Sequence, residues 1–273
     1  MERAIAVHHG LFGRIAIYQL REPMVPHAHR EAHLTFHLEG PDANMPVDGK
    51  SSPLSQDTVV ACSPWRPHCF KPGSPSEPGL FLVLYVSPVW FGETAQDIKP
   101  GMRFGSHLFF RTQKIKGYVN KLANLLMIGD RSDLIEGYIY ELTQECFDES
   151  WRRIGEAAES VALPRAPDFR VRRSIESMKD RVGETLVVEE IARDSGLSRP
   201  HFFKLFRDQT GLTPNVFLNT LRVEYALEKL SNVQAPIVGI SDDLGFSSQA
   251  SFTRFFTSHV GVSPREYRTV AAF

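Results

Sequence analysis

Residues 191–217 read IARDSGLSRPHFFKLFRDQTGLTPNVF, and this stretch predicts two short helices separated by a tight turn. Gly196 lies in the turn, where a residue without a Cβ atom adopts a positive φ at little cost. Ser198 is placed to cap the second helix, because its hydroxyl can accept a hydrogen bond from a free backbone N–H. Thr213 and Pro214 repeat this start signal for a third helix. Such a hairpin is typical both of buried helical cores and of helices that read the major groove of DNA.

The same pattern occurs a second time further along the chain. The turn residues Gly196 and Leu197 recur 49 residues later as Gly245 and Phe246. The apolar and capping positions recur 50 residues later, in the pairs Phe202 and Phe252, Phe206 and Phe256, Gly211 and Gly261, Pro214 and Pro264, and Phe217 and Tyr267. A chance hairpin does not repeat its turn, its apolar stripe and its cap in register. The sequence therefore predicts two helix-turn-helix units joined by a long helix over about 214–232.

Residues from about 169 to 268 resemble the DNA-binding domain of the AraC/XylS family of bacterial transcriptional regulators. The motifs that carry the resemblance are IARDSGLS, FFKLFRDQTGLTP and ISDDLGFSSQASFTRFFTSHVGVSPREYR. The resemblance implies two recognition helices in successive major grooves. By position, it implies DNA contacts from Arg199, Pro200, Phe203, Lys204 and Arg207 in the first helix, and from Gln249, Ala250, Thr253 and Arg254 in the second.

The chemistry of these side chains differs between the two helices. Arg254 can donate two hydrogen bonds to a guanine, and Gln249 can pair with an adenine. Phe203 can make only apolar contact, and Pro200 departs from the family, which often has a larger or polar residue there. We therefore predict that the second helix carries more of the base discrimination. Arg207 is predicted to face a phosphate or solvent.

The composition limits the other functions of the chain. Of its 273 residues, 31 are Lys or Arg and 32 are Asp or Glu, so a cationic DNA-binding face must be local. The three cysteines, Cys62, Cys69 and Cys146, form no CxxC pair and suit reduced thiols in a cytosolic protein. The N-terminus lacks the pattern of a signal peptide, and the longest apolar run, 79–86, is too short to span a bilayer. We expect a cytoplasmic protein that has no contact with a membrane.

The first part of the chain has a different periodicity from the last part. Short apolar runs at 15–18, 34–36, 58–62 and 80–86, with turn residues between them, predict a β-sandwich or barrel. Helical spacing then predicts a hairpin, which either packs on the β domain or meets a second copy of the chain. The sequence thus predicts a multidomain α+β protein with a β domain over 1–104, a helical dimerisation segment over 105–150, a linker over 151–168 and an all-α DNA-binding domain over 169–273.

Histidines are concentrated in the β domain. Residues 27–33 read HAHREAH, and His68 follows in a later segment. On a strand, His27 and His29 project from one face, and His33 joins them if the strand continues. Imidazoles suit zinc, copper, nickel or iron. The sequence therefore predicts four metal ligands, His27, His29, His33 and His68.

These histidines resemble the motifs of the cupin barrel, an HxH pair followed by an acid and, in a second motif, a later histidine. His33 stands where a cupin has its acid, and Glu31 is a substitute ligand. The resemblance implies a cupin-like β-barrel that holds a divalent transition metal (Zn, Ni, Mn or Fe). Regulators of this family often have a degenerate metal site and bind an organic effector, so both alternatives stay open. His37 is a spare candidate ligand, and His8 and His9 are read as solvated.

Together these features predict a transcriptional regulator that is not an enzyme. We expect it to bind promoter DNA as a homodimer, to respond to a small-molecule effector or a metal ion, and to act as an activator through RNA polymerase. The alternative is a metal-dependent cupin enzyme, such as a dioxygenase or isomerase, attached to a DNA-binding module. This alternative ranks second because no catalytic acid or base is evident beside the imidazoles.

Overall fold

The protein combines an N-terminal part built on an antiparallel sheet with a C-terminal part whose described elements are all helices. The computed structural model describes residues 2–94, 102–130, 132, 134–152, 168–184, 188–232 and 234–271. Most of the predicted linker, 153–167, lies outside the described residues. Of the described helices, none combines the length and the apolar character needed to cross a membrane.

Six of the eight described strands form one sheet. In chain order the strands are β1 (Arg3–Gly10), β2 (Gly13–Leu20), β3 (Ala32–Glu39), β4 (Ala43–Asn44), β5 (Pro53–Leu54), β6 (Thr58–Cys62), β7 (Gly79–Val86) and β8 (Leu108–Phe110). The sheet has the order β1-β2-β7-β3-β6-β8, and β4 pairs with β5 separately. The antiparallel sheet is confirmed, but the predicted closed barrel is wrong. Within the described residues β1 and β8 remain separate edges, so the sheet is open.

Side chains alternate between the two faces of this sheet. One face carries a large apolar cluster that includes Ile15, Ile17, Leu34, Phe36, Leu82 and Leu84. The opposite face carries Tyr18, Phe81, Val83 and Tyr85 together with Cys62. Because strand side chains point alternately up and down, His33 and Thr35 share this second face with Cys62.

The predicted helical hairpin covers the apolar face. Its two helices are α2 (Gln113–Met127) and α3 (Leu134–Arg152), which follow the short helix α1 (Pro88–Thr94). The stripe formed by Ile115, Val119 and Leu122 on α2, with Ile135 and Ile139 on α3, is buried in one cluster with the sheet. The first of the two alternatives for the hairpin is therefore confirmed.

Two short elements differ from the sequence interpretation. The helix α1 lies in a region that was interpreted as β, and β8 lies in the region interpreted as helical. The Leu-Phe-Phe run of β8 becomes a strand because it pairs with β6 at the edge of the sheet. That partner is distant in the sequence, so local spacing does not reveal it.

The described residues from 168 onward form seven helices. They are α4 (Phe169–Asp180), α5 (Val188–Asp194), α6 (Arg199–Thr210), α7 (Pro214–Ser231), α8 (Ile237–Asp243), α9 (Gln249–Val260) and α10 (Pro264–Ala271). The pairs α5–α6 and α8–α9 are the two predicted helix-turn-helix units, and α7 is the long helix between them.

The two units agree in backbone detail. Gly196 and Gly245 both have a φ of 68°, and each donates its N–H to the carbonyl three residues earlier at 2.9 Å. Gly211 and Gly261 end α6 and α9 with φ values of 78° and 86°. These four positions need a left-handed backbone, which glycine adopts without steric cost.

The predicted helix caps are partly correct. Thr213 accepts a hydrogen bond from the N–H of Val216 at 3.3 Å and caps α7 as predicted. Ser198 occupies the N-cap position of α6, but its hydroxyl makes no capping hydrogen bond. In the second unit Ser248 does accept a hydrogen bond from the N–H of Ser251, at 3.2 Å.

Gly13 and Gly49 both have a positive φ, but only Gly13 has no room for a Cβ atom. Comparing alanine substitutions at the two positions therefore distinguishes backbone strain from a steric clash. A Cβ atom at Gly13 would lie 2.4 Å from the carbonyl oxygen of Tyr85, whereas one at Gly49 would meet nothing within 4 Å. Gly13→Ala should therefore lower the free energy of unfolding by roughly 2–4 kcal/mol, and Gly49→Ala by about 1 kcal/mol. Urea denaturation of both variants measures the difference, and equal losses would contradict the clash.

Candidate nucleic-acid interface and imidazole cluster

Aromatic side chains anchor α6 and α9 in the helical core. Phe202 and Phe206 of α6 are fully buried, as are Phe252 and Phe256 of α9. The nine predicted DNA contacts lie on the remaining surface of the two helices. Seven of them are exposed, namely Arg199, Pro200, Lys204, Arg207, Gln249, Ala250 and Arg254, and the other two, Phe203 and Thr253, are half-buried. The predicted contacts are therefore accessible, and their binding to DNA stays a prediction.

Two exposed arginines of the recognition helices, Arg199 and Arg254, have different surroundings. The Nε of Arg199 donates to Glu189 of α5 at 2.5 Å, and its guanidinium lies 4.7 Å from the centre of the Phe203 ring. Arg254 donates only to the hydroxyl of Ser251 in its own helix, at 3.2 Å. An acidic partner already holds Arg199, so Arg254 is better placed for a new bidentate contact.

A loop of the N-terminal part lies beside α9. Glu22 and Pro23, which follow β2, line a groove of about 350 Å³ together with Thr253, Arg254 and three residues near the end of α9. The N–H of Val25 donates to the carbonyl of Ser258 in α9 at 3.0 Å. Two of the predicted base-reading side chains are thus neighbours of this loop, which we call the sensor loop (residues 21–31).

The sensor loop also carries the first two histidines of the predicted metal site. His27 and His29 lie before β3 and not on a common strand, so that part of the prediction is wrong. The backbone N–H groups of His27 and His68 each donate to the other's carbonyl at 2.9 Å. This isolated bridge brings the imidazoles together without an HxH strand.

Five potential ligand residues form two groups of three that share one histidine. The atoms of His27, His29 and His68 lie within 4.8 Å of one another, and so do those of His33, Cys62 and His68. All four predicted histidines are therefore neighbours, but His33 is grouped with a cysteine. Cys62 was missed because its only signal is its pairing opposite His33 in the sheet.

Hydrogen bonds fix which ring nitrogen of each histidine is available. The Nδ1–H of His27 donates to the carbonyl of Val25 at 2.7 Å, and that of His68 donates to the carbonyl of Arg66 at 2.9 Å. In both rings Nε2 is therefore unprotonated, which is the arrangement that metal-binding histidines have. The Nε2 of His68 accepts a hydrogen bond from the Nδ1–H of His33 at 3.1 Å, and a metal ion would have to replace that proton. The Nε2 of His29 is buried and has no hydrogen-bond partner. A buried polar atom of this kind needs an explanation, and a metal ion is one.

Burial keeps these imidazoles neutral. It lowers the pKa of His68 to about 4. Burial, together with repulsion from the neighbouring rings, also lowers the pKa values of His27, His29 and His33 well below the ordinary value. The neutral form is the one that binds metals. The spare candidates Glu31 and His37 belong to neither group among the described residues.

A small cavity adjoins the cluster. It has a volume of about 20 Å³, which is room for roughly one water-sized group. His27, His33 and His68 line it, as do Met24 and Met45. The rest of the wall is mainly apolar, so the cavity is enclosed by the second face of the sheet and by the sensor loop.

A buried arginine lies in the same row of the sheet as His33. Arg14 pairs opposite Tyr85, and Tyr85 in turn pairs opposite His33. The guanidinium of Arg14 lies 3.7 Å from the centre of the Tyr85 ring, and its Nη1 donates to the hydroxyl of Tyr267 at 3.3 Å. Among the described residues no carboxylate forms an ion pair with Arg14. His9 is exposed, as expected of a solvated histidine, and its Nε2 also lies 2.8 Å from the same hydroxyl.

Tyr267 belongs to α10, and further contacts join the two parts of the chain. Trp65 stacks on Phe217 with ring centres 5.0 Å apart, and the hydroxyl of Thr220 donates to the carbonyl of Ala28 at 3.1 Å. Arg30 forms an ion pair with Glu224 of α7 at 2.7 Å. The sensor loop is therefore held by both α7 and α9.

Glu224 makes this seam sensitive to pH. Burial raises its pKa from 4.5 to about 7, although Arg30 partly opposes the shift. The folded state binds this proton more tightly than the unfolded chain does, so the free energy of unfolding falls as the pH rises from about 4.5 to about 7. Glu224→Gln should remove this loss, and its stability advantage should grow by about 2 kcal/mol between pH 5 and pH 8.

Urea denaturation of the wild-type protein and the variant at both pH values measures this growth. Glu228→Gln, which changes an exposed carboxylate on the same helix, is the control. An advantage of Glu224→Gln that is equal at pH 5 and pH 8 would show that Glu224 stays ionised in the folded state.

Similar proteins are found for the helical part and, separately, for the whole fold. Residues 191–269 match the family model of a helix-turn-helix domain. RclR, an RCS-specific transcriptional activator of Escherichia coli, is 36% identical over 94 residues, which are 34% of this chain and 33% of RclR. PqrA, a probable transcription factor of Proteus vulgaris, is 34% identical over 85 residues, which are 31% of this chain and 70% of PqrA. The match thus spans about a third of RclR but more than two thirds of PqrA.

The whole chain is similar in fold to ToxT of Vibrio cholerae. With apo ToxT the TM-score is 0.61 over 96% of this chain and 98% of ToxT, at 14% sequence identity. With ToxT bound to an unsaturated fatty acid it is 0.57 over 94% of both chains, also at 14% identity. At identities this low, the TM-scores show a common fold and nothing more. That fold is an antiparallel sheet domain followed by a helical domain.

Proposed function

Because the chain belongs to the AraC/XylS family of transcriptional regulators, we propose that it binds a specific promoter sequence through α6 and α9. The sheet domain receives the signal that controls this binding. The observation that carries the proposal is the register-matched repeat, which presents two recognition helices with accessible polar side chains. The net charge of −1 limits the non-specific attraction to DNA, so the local cationic positions matter most.

The two recognition helices have different tasks in this proposal. Arg254 and Gln249 of α9 read base edges, since a guanidinium suits guanine and a carboxamide suits adenine. Lys204 of α6 contributes a cation and Phe203 an apolar contact. Arg199 is paired with Glu189, which supports a positioning contact over base readout.

Removing either cation should weaken operator binding. We expect Arg254→Ala to lower the affinity by about 10- to 100-fold and to relax the preference at one base pair. Lys204→Ala should also lower the affinity for the operator. Selection of sites from a random DNA pool, followed by gel-shift titration, measures both effects.

Lys121→Ala, on the hairpin that covers the far face of the sheet, is the control for the loss of a surface cation. If Arg254→Ala and Lys204→Ala both bound the operator specifically and with wild-type affinity, these side chains would be excluded as readers of the operator.

For the signal, we propose a transition metal ion held by His27, His29 and His68, with His33 beside them. The unpartnered Nε2 of His29 and the neutral rings support this choice. Imidazoles favour Zn, Ni or Fe, whereas Mn prefers oxygen ligands and fits less well. Such an ion would act as a Lewis acid with a free position for a small molecule.

The hydrogen bonds of the sensor loop connect this site to DNA binding. His27 donates to the carbonyl of Val25, and the N–H of Val25 donates to Ser258 of α9. A fixed orientation of the His27 ring therefore fixes the loop beside Arg254. An ion changes the DNA affinity only if it binds one arrangement of this loop more tightly than another.

His29→Ala should separate metal binding from folding. We expect it to lower the metal affinity by at least ~100-fold, because it removes a ligand and not only a neighbour of one. Elemental analysis of the purified protein and gel shifts with and without a chelator are the measurements. His107→Ala is the control for the loss of an imidazole. Metal sensing would be refuted if the wild-type protein bound no metal and its DNA affinity were the same with and without the chelator. That result would not refute DNA binding.

A small organic effector is the other candidate signal. ToxT, which has the same fold, has been solved with an unsaturated fatty acid. In the present chain the buried cation of Arg14 has no acidic partner among the described residues and would favour an anionic effector. The cavity of about 20 Å³ must enlarge to admit one, and that change would loosen the seam with α10.

The remaining features of the proposal concern partners. The hairpin tip leaves Met127, Ile128 and Leu134 more than half exposed, and this supports a homodimer through the hairpin. Activation of transcription agrees with RclR, which is named a transcriptional activator, and contact with RNA polymerase is the route that we propose for it. The same relatives favour a regulator over the alternative, a metal-dependent enzyme. A cytoplasmic location agrees with promoter binding and with the three free cysteines.

A further inference from the structure

The thiol of Cys62 makes the imidazole cluster a mixed nitrogen and sulfur site. In the sheet Cys62 of β6 lies directly opposite His33 of β3, and both side chains point to the same face. Their ligand atoms and that of His68 lie within 4.8 Å of one another, and all three residues are buried. His33 Nδ1 and His68 Nε2 are 3.1 Å apart, so a single ion can reach both rings.

Further sulfur atoms surround the cluster. Met24, Met45 and Cys69 line the cavity beside the imidazoles, and none of the residues that line it is acidic. Thiolate and thioether sulfur select soft ions such as Cu+, whereas carboxylates would have favoured harder divalent ions. The ligand chemistry therefore favours a soft ion over Mn or Fe.

Charge decides between the soft ions. A monovalent ion and one thiolate form a neutral pair, whereas a divalent ion and one thiolate leave a net positive charge. That charge would be buried on the face of the sheet that also carries the guanidinium of Arg14, which lies three strands from Cys62 and two from His33 in the same row. An unpaired buried charge is costly, and a second charge of the same sign on the same buried face adds to the cost.

We propose that His33, Cys62 and His68 bind one Cu+ ion. The copper–sulfur bond forms as the proton of the Cys62 thiol leaves to solvent. The proton that His33 Nδ1 donates to His68 Nε2 moves to His33 Nε2, which then donates to the Thr35 hydroxyl, so that both facing nitrogens offer a lone pair to the ion. No oxidation or reduction is involved. His68 has one available lone pair at Nε2, so Cu+ at this set excludes a divalent ion at His27, His29 and His68. The inference rests on the proposed metal sensing and changes its ion and its ligands: the sensed ion is monovalent and thiophilic and is held by His33, Cys62 and His68, while a divalent ion at His27, His29 and His68 competes with it.

The test uses the full chain under anaerobic reducing conditions. Cu+ is titrated in competition with a chromogenic Cu+ chelator, and Zn2+ is titrated separately, for the wild-type protein, Cys62→Ser and His29→Ala. Cys146→Ser, which removes a buried thiol in the core on the other face of the sheet, is the control. X-ray absorption of the Cu+-loaded wild-type protein reports whether sulfur is a ligand, and this readout does not depend on the folding of any variant.

We expect the wild-type protein to bind one equivalent of Cu+ with a sulfur ligand. Cys62→Ser should lose at least ~100-fold in Cu+ affinity, whereas His29→Ala and Cys146→Ser should bind Cu+ with nearly the wild-type affinity. Cu+ bound without sulfur, and equally well by Cys62→Ser, would overturn the assignment of Cys62. Binding of Zn2+ that His29→Ala abolishes, with no binding of Cu+, would overturn the inference and leave the proposed metal sensing intact. Failure to bind either ion would refute both, while the operator-binding measurements would still test the regulator.

Discussion

Alternation of side chains across the central sheet is the constraint on which the rest of the structure depends. One set of positions is apolar on β2, β3, β6 and β7, and it is covered by the helical hairpin. The other set carries one row of polar side chains: Arg14, Tyr85, His33 and Cys62. A purely apolar cover would bury these side chains without hydrogen-bond partners. That polar row has to be covered by groups that can interact with it. The covering groups are the sensor loop and the second half of the helical domain, which explains why the two parts of the chain share a core.

The sensor loop connects the three places where function is proposed. Its His27 lines the cavity, the N–H of its Val25 donates to a carbonyl of α9, and its Arg30 forms an ion pair with α7. Only a few residues separate these contacts, so a backbone movement at one contact must also strain the others. The groove between this loop and the side of α9 that bears Arg254 is therefore where a signal in the sheet domain would reach the DNA-binding surface.

Prediction from sequence succeeded where the signals are local. The glycine turns, the Thr213 cap and the Phe202 and Phe206 stripe depend on neighbours within one or two helical turns, and their recurrence 50 residues later confirmed the pattern. The barrel failed because closure depends on whether β1 meets β8, which strand propensity does not report. Likewise, the pairing of His33 with Cys62 follows from strand register and not from spacing.

The sequence by itself determined the two helix-turn-helix units and the family, because a repeated local pattern specifies helices, turns and their exposed faces without any long-range partner. It also determined that imidazoles would cluster, since the histidines are close together in the chain. Only the tertiary structure decided that His27 and His29 lie in a loop, that Cys62 joins His33 and His68, and that the loop rests on α9. These features depend on contacts between segments tens to hundreds of residues apart, which form only when the sheet buries its second face.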